Sequence, residues 1–156
     1  MLQPSPTKTS TTPRRKDAIS DISTAIAIDF RQALLAVRDL RETSATGWTL
    51  WVGLLQTHYA MPGHTVTAAR LAAAHRLSSN SAALLSYNKL GRAVAAQLGY
   101  EPPDRSHGKH EPMWWMTLST GSDGNERDAD YSFTMHPELA QALELMRWVQ
   151  PQPAGA

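Results

Sequence analysis

The sequence predicts an α+β fold, mostly helical with one small β-hairpin, and three observations carry that expectation. Apolar residues recur at three-four spacing in several separate stretches, as in helices that bury one face. Between residues 113 and 135 the pattern shifts to two short runs rich in aromatic side chains, joined by a polar connection that contains Gly121 and Gly124; that pattern marks a hairpin. The internal prolines Pro62, Pro102, Pro103, Pro112 and Pro137 all fall between these stretches or open one, where proline is tolerated.

Residues 17–42 read as one long helix. Ile22, Ile26, Phe30, Ala33, Leu34, Val37 and Leu40 form its apolar side, with Asp29 as the one break, and Asp17, Asp21, Arg31, Arg38 and Arg41 face water. "RETSATG" interrupts, and Gly47 opens a second helix with Trp48, Trp51, Val52 and Leu55 inward. "YAMPGHT" ends it at Pro62 and Gly63, which break helices.

Thr67 is placed as N-cap of a short helix over "AARLAAAHRL", with Val66 and Leu71 closing over it as a hydrophobic staple. Leu71, Ala72 and His75 face inward. "SSNS" supplies a turn, with Ser79 and Asn80 as caps. A longer helix then runs from about Ser81 to Leu98, with Leu84, Tyr87, Leu90, Val94 and Leu98 inward. Gly91 lets a second element come close, and Gly99 suits a left-handed helix ending. Two helices joined by a tight polar turn form the helix-turn-helix pattern.

"MWWMTLS" and "YSFTM" read as the two hairpin strands, and Trp114 and Trp115 then point to opposite faces, one into the core and the other either beneath the first or last helix or exposed as an anchor. Pro137 opens a last helix with Leu139, Ala142, Leu143, Met146 and Val149 inward. Three helices and a hairpin give a winged helix-turn-helix with an extra N-terminal and C-terminal helix, and such additions are common places for homodimer contacts. The chain divides into a disordered basic tail (1–16), one winged-helix-like domain (17–150) and a disordered tail (151–156).

The chain has 156 residues, no cysteine, 15 basic and 14 acidic residues, and a net charge of +1. This excludes a disulfide framework and a thiolate metal site. It also excludes the strongly basic class of nucleic-acid binders, so any DNA binding must use locally sorted charge. No apolar run approaches the roughly 20 residues of a membrane span, and the N-terminus lacks a signal-peptide core. A cytoplasmic protein without membrane contact is expected.

The second helix of a helix-turn-helix offers its N-terminal residues to base edges in the major groove. Here those are Asn80 and Ser81, with Leu85, Ser86 and Lys89 further along. Asparagine can hold adenine bidentately and lysine can reach guanine acceptors. Arg92, Arg70 and Arg76 suit phosphates, which fix position and not sequence; Arg14 and Arg15 make the N-terminal tail a basic arm. The same polar face also reads as plain solvated surface.

The hairpin connection argues the other way. It carries Asp123, Glu126, Asp128 and Asp130 against Arg127 alone, a charge that phosphate repels. Such a loop suits a basic groove on a protein partner, with Asp123, Glu126 and Asp128 as contacts and Trp114 as an aromatic anchor. Two classes of function therefore stand: non-catalytic duplex DNA binding, and a protein-binding module such as a phage-encoded inhibitor or adaptor. No nucleophile elbow, phosphate-cradling glycine loop or HExxH motif occurs, so neither catalysis nor a cofactor is expected. His107 and His110 are too loosely set beside Asp104 and Glu111 to predict zinc.

Thr67-Ala68, Asn80, Tyr87-Asn88-Lys89-Leu90-Gly91-Arg92 and Leu98-Gly99-Tyr100-Glu101-Pro102, with the ending "PELAQALELMRWV", form a recognisable set. Over roughly residues 47–149 the chain resembles winged-helix-like modules found beside HNH nuclease domains in bacterial restriction-type proteins. The resemblance implies a recognition module from a phage-defence or mobile-element setting. This chain carries no HNH half, so no cleavage is implied.

Overall fold

The computed structural model describes residues 21–40, 43–104, 111–126, 128 and 130–151. The N-terminal tail with Arg14 and Arg15, all but the first residue of the C-terminal tail, Arg127, and the loop histidines His107 and His110 lie outside the described residues. The chain is mostly helical with a small three-stranded antiparallel sheet. In order come α1 (Ala27–Asp39), α2 (Ala45–Ala60), β1 (Thr65–Thr67), α3 (Ala68–Ala74), α4 (Asn80–Leu98), β2 (Ser119–Gly121), β3 (Ser132–Met135) and α5 (Pro137–Leu145). No helix among the described residues is long and apolar enough to cross a membrane.

The first helix is shorter than its periodicity predicts. A 3-10 turn at Ile22–Thr24 precedes α1. Asp29, the apparent break, reaches back to accept the Ile26 N–H at 2.9 Å. It thereby satisfies one of the free donors that every helix start leaves. Ile26 and Leu40 flank α1 instead of lying within it, so both are exposed, against expectation. The inward line is Phe30, Ala33, Leu34 and Val37.

Helix α2 starts at Ala45, before Gly47, because Ser44 Oγ accepts the Gly47 N–H at 3.0 Å. Trp51, Leu54, Leu55, His58 and Tyr59 are buried. Trp48 is half-buried and meets Trp148 edge-on, with ring centroids 5.6 Å apart.

The caps of α3 and α4 form as the sequence predicts. Thr67 Oγ1 accepts the Arg70 N–H at 3.2 Å, and Val66 and Leu71 are both buried. Ser79 Oγ accepts the Ala82 N–H at 3.0 Å. Helix α4 ends at Gly99 with φ 71°, a left-handed residue that costs least as glycine. His75 is only half-buried, its Nε2 lying 2.9 Å from Thr57 Oγ1.

The sheet has the order β1-β3-β2. Strand β1 is not foreseen by the sequence reading. Three residues are too few to show an alternation, and its pairing of Val66 opposite Phe133 depends on a partner 67 positions along. The expected strand over "MWWMTLS" is a second departure. Trp114–Thr117 form a 3-10 turn, and only Ser119–Gly121 are extended. Packing against α4 overrides strand propensity here. Asn88 Oδ1 accepts the Trp115 N–H at 3.0 Å. A Cβ on Gly91 would sit 2.3 Å from the Trp114 carbonyl oxygen, so glycine permits this approach. Trp115 is buried against Phe133 and Tyr131. Trp114 is half-buried, and it is α4 that covers it, not the first or last helix: the Arg92 guanidinium lies 5.7 Å above its ring.

Candidate nucleic-acid interface

Helix geometry, at about 100° per residue, sorts the polar side of α4. Ser81, Leu85, Lys89, Arg92 and Ala96 are exposed and fall on one outward line, with Asn88 half-buried at its edge. Ser86 does not belong to it. It is turned about 100° from Leu85 and is half-buried, so the expectation that Ser86 shares the outward face is corrected. Asn80 is exposed as the first residue of the helix, where a recognition helix meets base edges. Among the described residues neither Lys89 nor Arg92 is held in an ion pair.

Arg70 and Arg76 are exposed on α3 and on the turn that follows it. Arg76 has φ 54°. It ends α3 as glycine usually would: the Leu77 N–H donates to the Ala72 carbonyl at 2.9 Å. A non-glycine residue held there costs roughly 1–2 kcal/mol.

Charge around this surface is strictly sorted. Residues 43–100, which include β1, α3 and α4, contain four lysines and arginines, Arg70, Arg76, Lys89 and Arg92, and no aspartate or glutamate. The stretch carries +4, so the remainder of a chain of net charge +1 carries −3. The missing carboxylates are visible in the sequence; what the fold adds is that the four cations all reach solvent.

The outward face is held in place from beneath by a buried polar chain. His58 on α2 has Nε2 2.9 Å from the Phe133 carbonyl oxygen, which can only accept, so Nε2 carries the proton. Its Nδ1 then accepts the Tyr87 O–H at 3.0 Å. The Tyr87 oxygen in turn receives the Ser119 O–H at 2.6 Å. The chain ties α2, α4, β2 and β3 together with every donor matched. Burial holds the His58 pKa down to about 4, although the Phe133 carbonyl opposes the shift. Burial also pushes the Tyr87 phenol well above its usual range.

The β2–β3 connection keeps part of its expected character. Asp123, Asp128 and Asp130 are exposed. Glu126 is buried, so it is not an exposed partner contact. It folds back toward the hairpin, where burial first, and then the Glu126 and Asp123 carboxylates, raise the Tyr131 pKa.

A groove of about 420 Å³ runs between α4 and the 3-10 turn, lined by Leu85, Asn88, Lys89, Arg92, Glu111, Pro112 and Trp114. It lies along the cationic edge of α4. A hollow of about 450 Å³ between α1 and α2 has Arg38 and Asp39 in its wall, paired with each other at 2.9 Å. Comparison with protein-family models, with curated proteins and with solved structures finds no match to the chain.

Proposed function

We propose that the chain is a non-catalytic winged-helix protein that binds duplex DNA through the outward face of α4. The element order α2-β1-α3-α4-β2-β3, with β1 completing the sheet as β1-β3-β2, supports the winged-helix reading. The observation that carries the function is the sorted charge: four exposed cations on or beside the helix-turn-helix, with no carboxylate in the 58 residues 43–100. Asn80, Ser81 and Lys89 are the base-facing donors in this reading. Arg70, Arg76 and Arg92 are the phosphate contacts, and Arg14 and Arg15 add an arm. The resemblance to modules beside HNH nucleases supports a phage-defence or mobile-element setting. A second reading, a protein-binding module, draws support from the exposed carboxylates Asp123, Asp128 and Asp130 and from half-buried Trp114.

Electrophoretic mobility of duplex DNA at low and moderate salt tests the proposal. The wild type retards duplex, and Lys89→Ala with Arg92→Ala weakens retention and flattens its salt dependence by about one to two units of slope. Equal inertness of both proteins toward duplex rejects DNA binding and leaves the acidic connection as the surface to test, by charge reversal at Asp123 and Asp128 in a pull-down.

A further inference from the structure

We infer that Leu85 reads the C5-methyl group of a thymine, and that the DNA site of this protein therefore contains a thymine opposite the second turn of α4. The inference rests on the proposed DNA binding and adds what the bound sequence must contain. Leu85 is 57% exposed and, among the described residues, is the only exposed large apolar side chain of α3 and α4. The others, Ile26, Ile28, Leu40 and Leu145, lie in or beside α1 and α5. Nothing in the core requires a leucine at this position, because the inward line of α4 is already filled by Ala83, Tyr87, Leu90, Val94 and Leu98.

Its place on the helix is specific. Leu85 sits one turn after Ser81 and one turn before Lys89, on the line that faces outward. It also forms a wall of the groove closed on the other side by Pro112 and Trp114, with Lys89 and Arg92 along the cationic edge and Glu111 also in the lining. A side chain in that setting meets the edge of a base pair, not bulk solvent, once duplex is bound.

Among the groups that base pairs present in the major groove, the thymine methyl is the one that is apolar. Against guanine, Leu85 would cover the N7 and O6 acceptors without offering a donor. Against cytosine or adenine it would cover an amino group without offering an acceptor. Each mismatch leaves a desolvated polar group unpaired. Thymine alone gives the leucine a surface that gains by losing water.

The experiment separates this inference from the reading beneath it. Duplexes are selected from a random pool with the wild-type protein, and each thymine of the selected site is replaced in turn by uracil, which removes the C5-methyl and nothing else. Affinities are measured by fluorescence anisotropy. One position is expected at which uracil weakens the wild type about fourfold, the ~0.8 kcal/mol of one buried methyl group. Leu85→Ala is expected to bind the thymine and uracil duplexes equally while melting at the wild-type temperature. Two results overturn the inference and leave DNA binding standing: uracil tolerated at every position while Lys89→Ala still weakens binding, or Leu85→Ala keeping the wild-type discrimination. A wild type that selects no duplex even at low salt overturns both.

Discussion

His58 shows how one residue can set the pH range of the fold. Its ring is buried, donates to the Phe133 carbonyl and accepts from Tyr87. Burial holds its pKa down to about 4, from 6.5 when it is free. The unfolded chain therefore takes up the proton first as pH falls. The stability that rests on neutral His58 is complete above pH 6.5, is lost progressively below it and is exhausted near pH 4. The span corresponds to about 3 kcal/mol. Denaturant midpoints measured between about pH 7.5 and 4.5 should fall for the wild type. They should fall less for His58→Gln, whose baseline is lower because the flexible amide does not fill the place of the buried ring. Parallel slopes for the two proteins would mean the ring is not buried as described. The sequence holds a sign of this residue, since His58 lies three and four positions after Leu55 and Leu54 on the inward side of α2. An apolar stripe traced by hydrophobic residues alone passes it over. Thr117 is harder to foresee: its hydroxyl is buried and finds no hydrogen-bond partner among the described residues, and no local pattern announces that.

At the scale of elements, what is legible is what local chemistry decides. Thr67 and Ser79 start helices and Gly99 ends one, each through bonds to residues within four positions, and a sequence shows such bonds directly. Gly91 announces a close approach, though not that the Trp114 carbonyl makes it. What is not legible depends on distant partners. Strand β1 exists through β3, and the 3-10 turn at Trp114–Thr117 replaces a strand because α4 takes its backbone. The sequence places Leu85 and Ser86 side by side among the base-facing residues of α4, and only the packed helix separates exposed Leu85 from half-buried Ser86, since the phase of a helix is fixed by its core. Arg76 gives the prediction that belongs here. It occupies a left-handed position at a cost that glycine would remove. Arg76→Gly should raise the stability of the protein by about 1 kcal/mol while weakening duplex binding, through loss of one phosphate contact. A chemical denaturation curve and an anisotropy titration on the same preparation check both halves. A gain in stability with unchanged affinity would take Arg76 out of the interface.

The whole molecule is close to neutral, yet its charge is divided: +4 over residues 43–100 and −3 over the rest. Part of the negative share stands on the β2–β3 connection, where Asp123, Asp128 and Asp130 are exposed. In the proposed winged-helix reading that connection lies beside the recognition helix, so a duplex drawn to α4 would be repelled by its neighbour. The balance sets a measurable limit. With each phosphate contact contributing about −0.9 to the slope of log affinity against log salt, Arg70, Arg76 and Arg92 give a slope of about −3, and the arm with Arg14 and Arg15 takes it to between about −4 and −5. Changing Asp123, Asp128 and Asp130 to asparagine moves the net charge from +1 to +4 without touching any proposed DNA contact. Duplex affinity should then rise severalfold at low salt. The gain should shrink as salt is raised, because the repulsion acts across solvent and is screened over about 10 Å at 0.1 M. The slope itself should steepen only through this long-range repulsion, since no new phosphate contact is made. An affinity that stays constant would place the connection away from the duplex and leave α4 as the whole interface. An affinity that falls would mean the carboxylates hold the hairpin in its binding shape, and melting curves of the triple variant would show that loss directly.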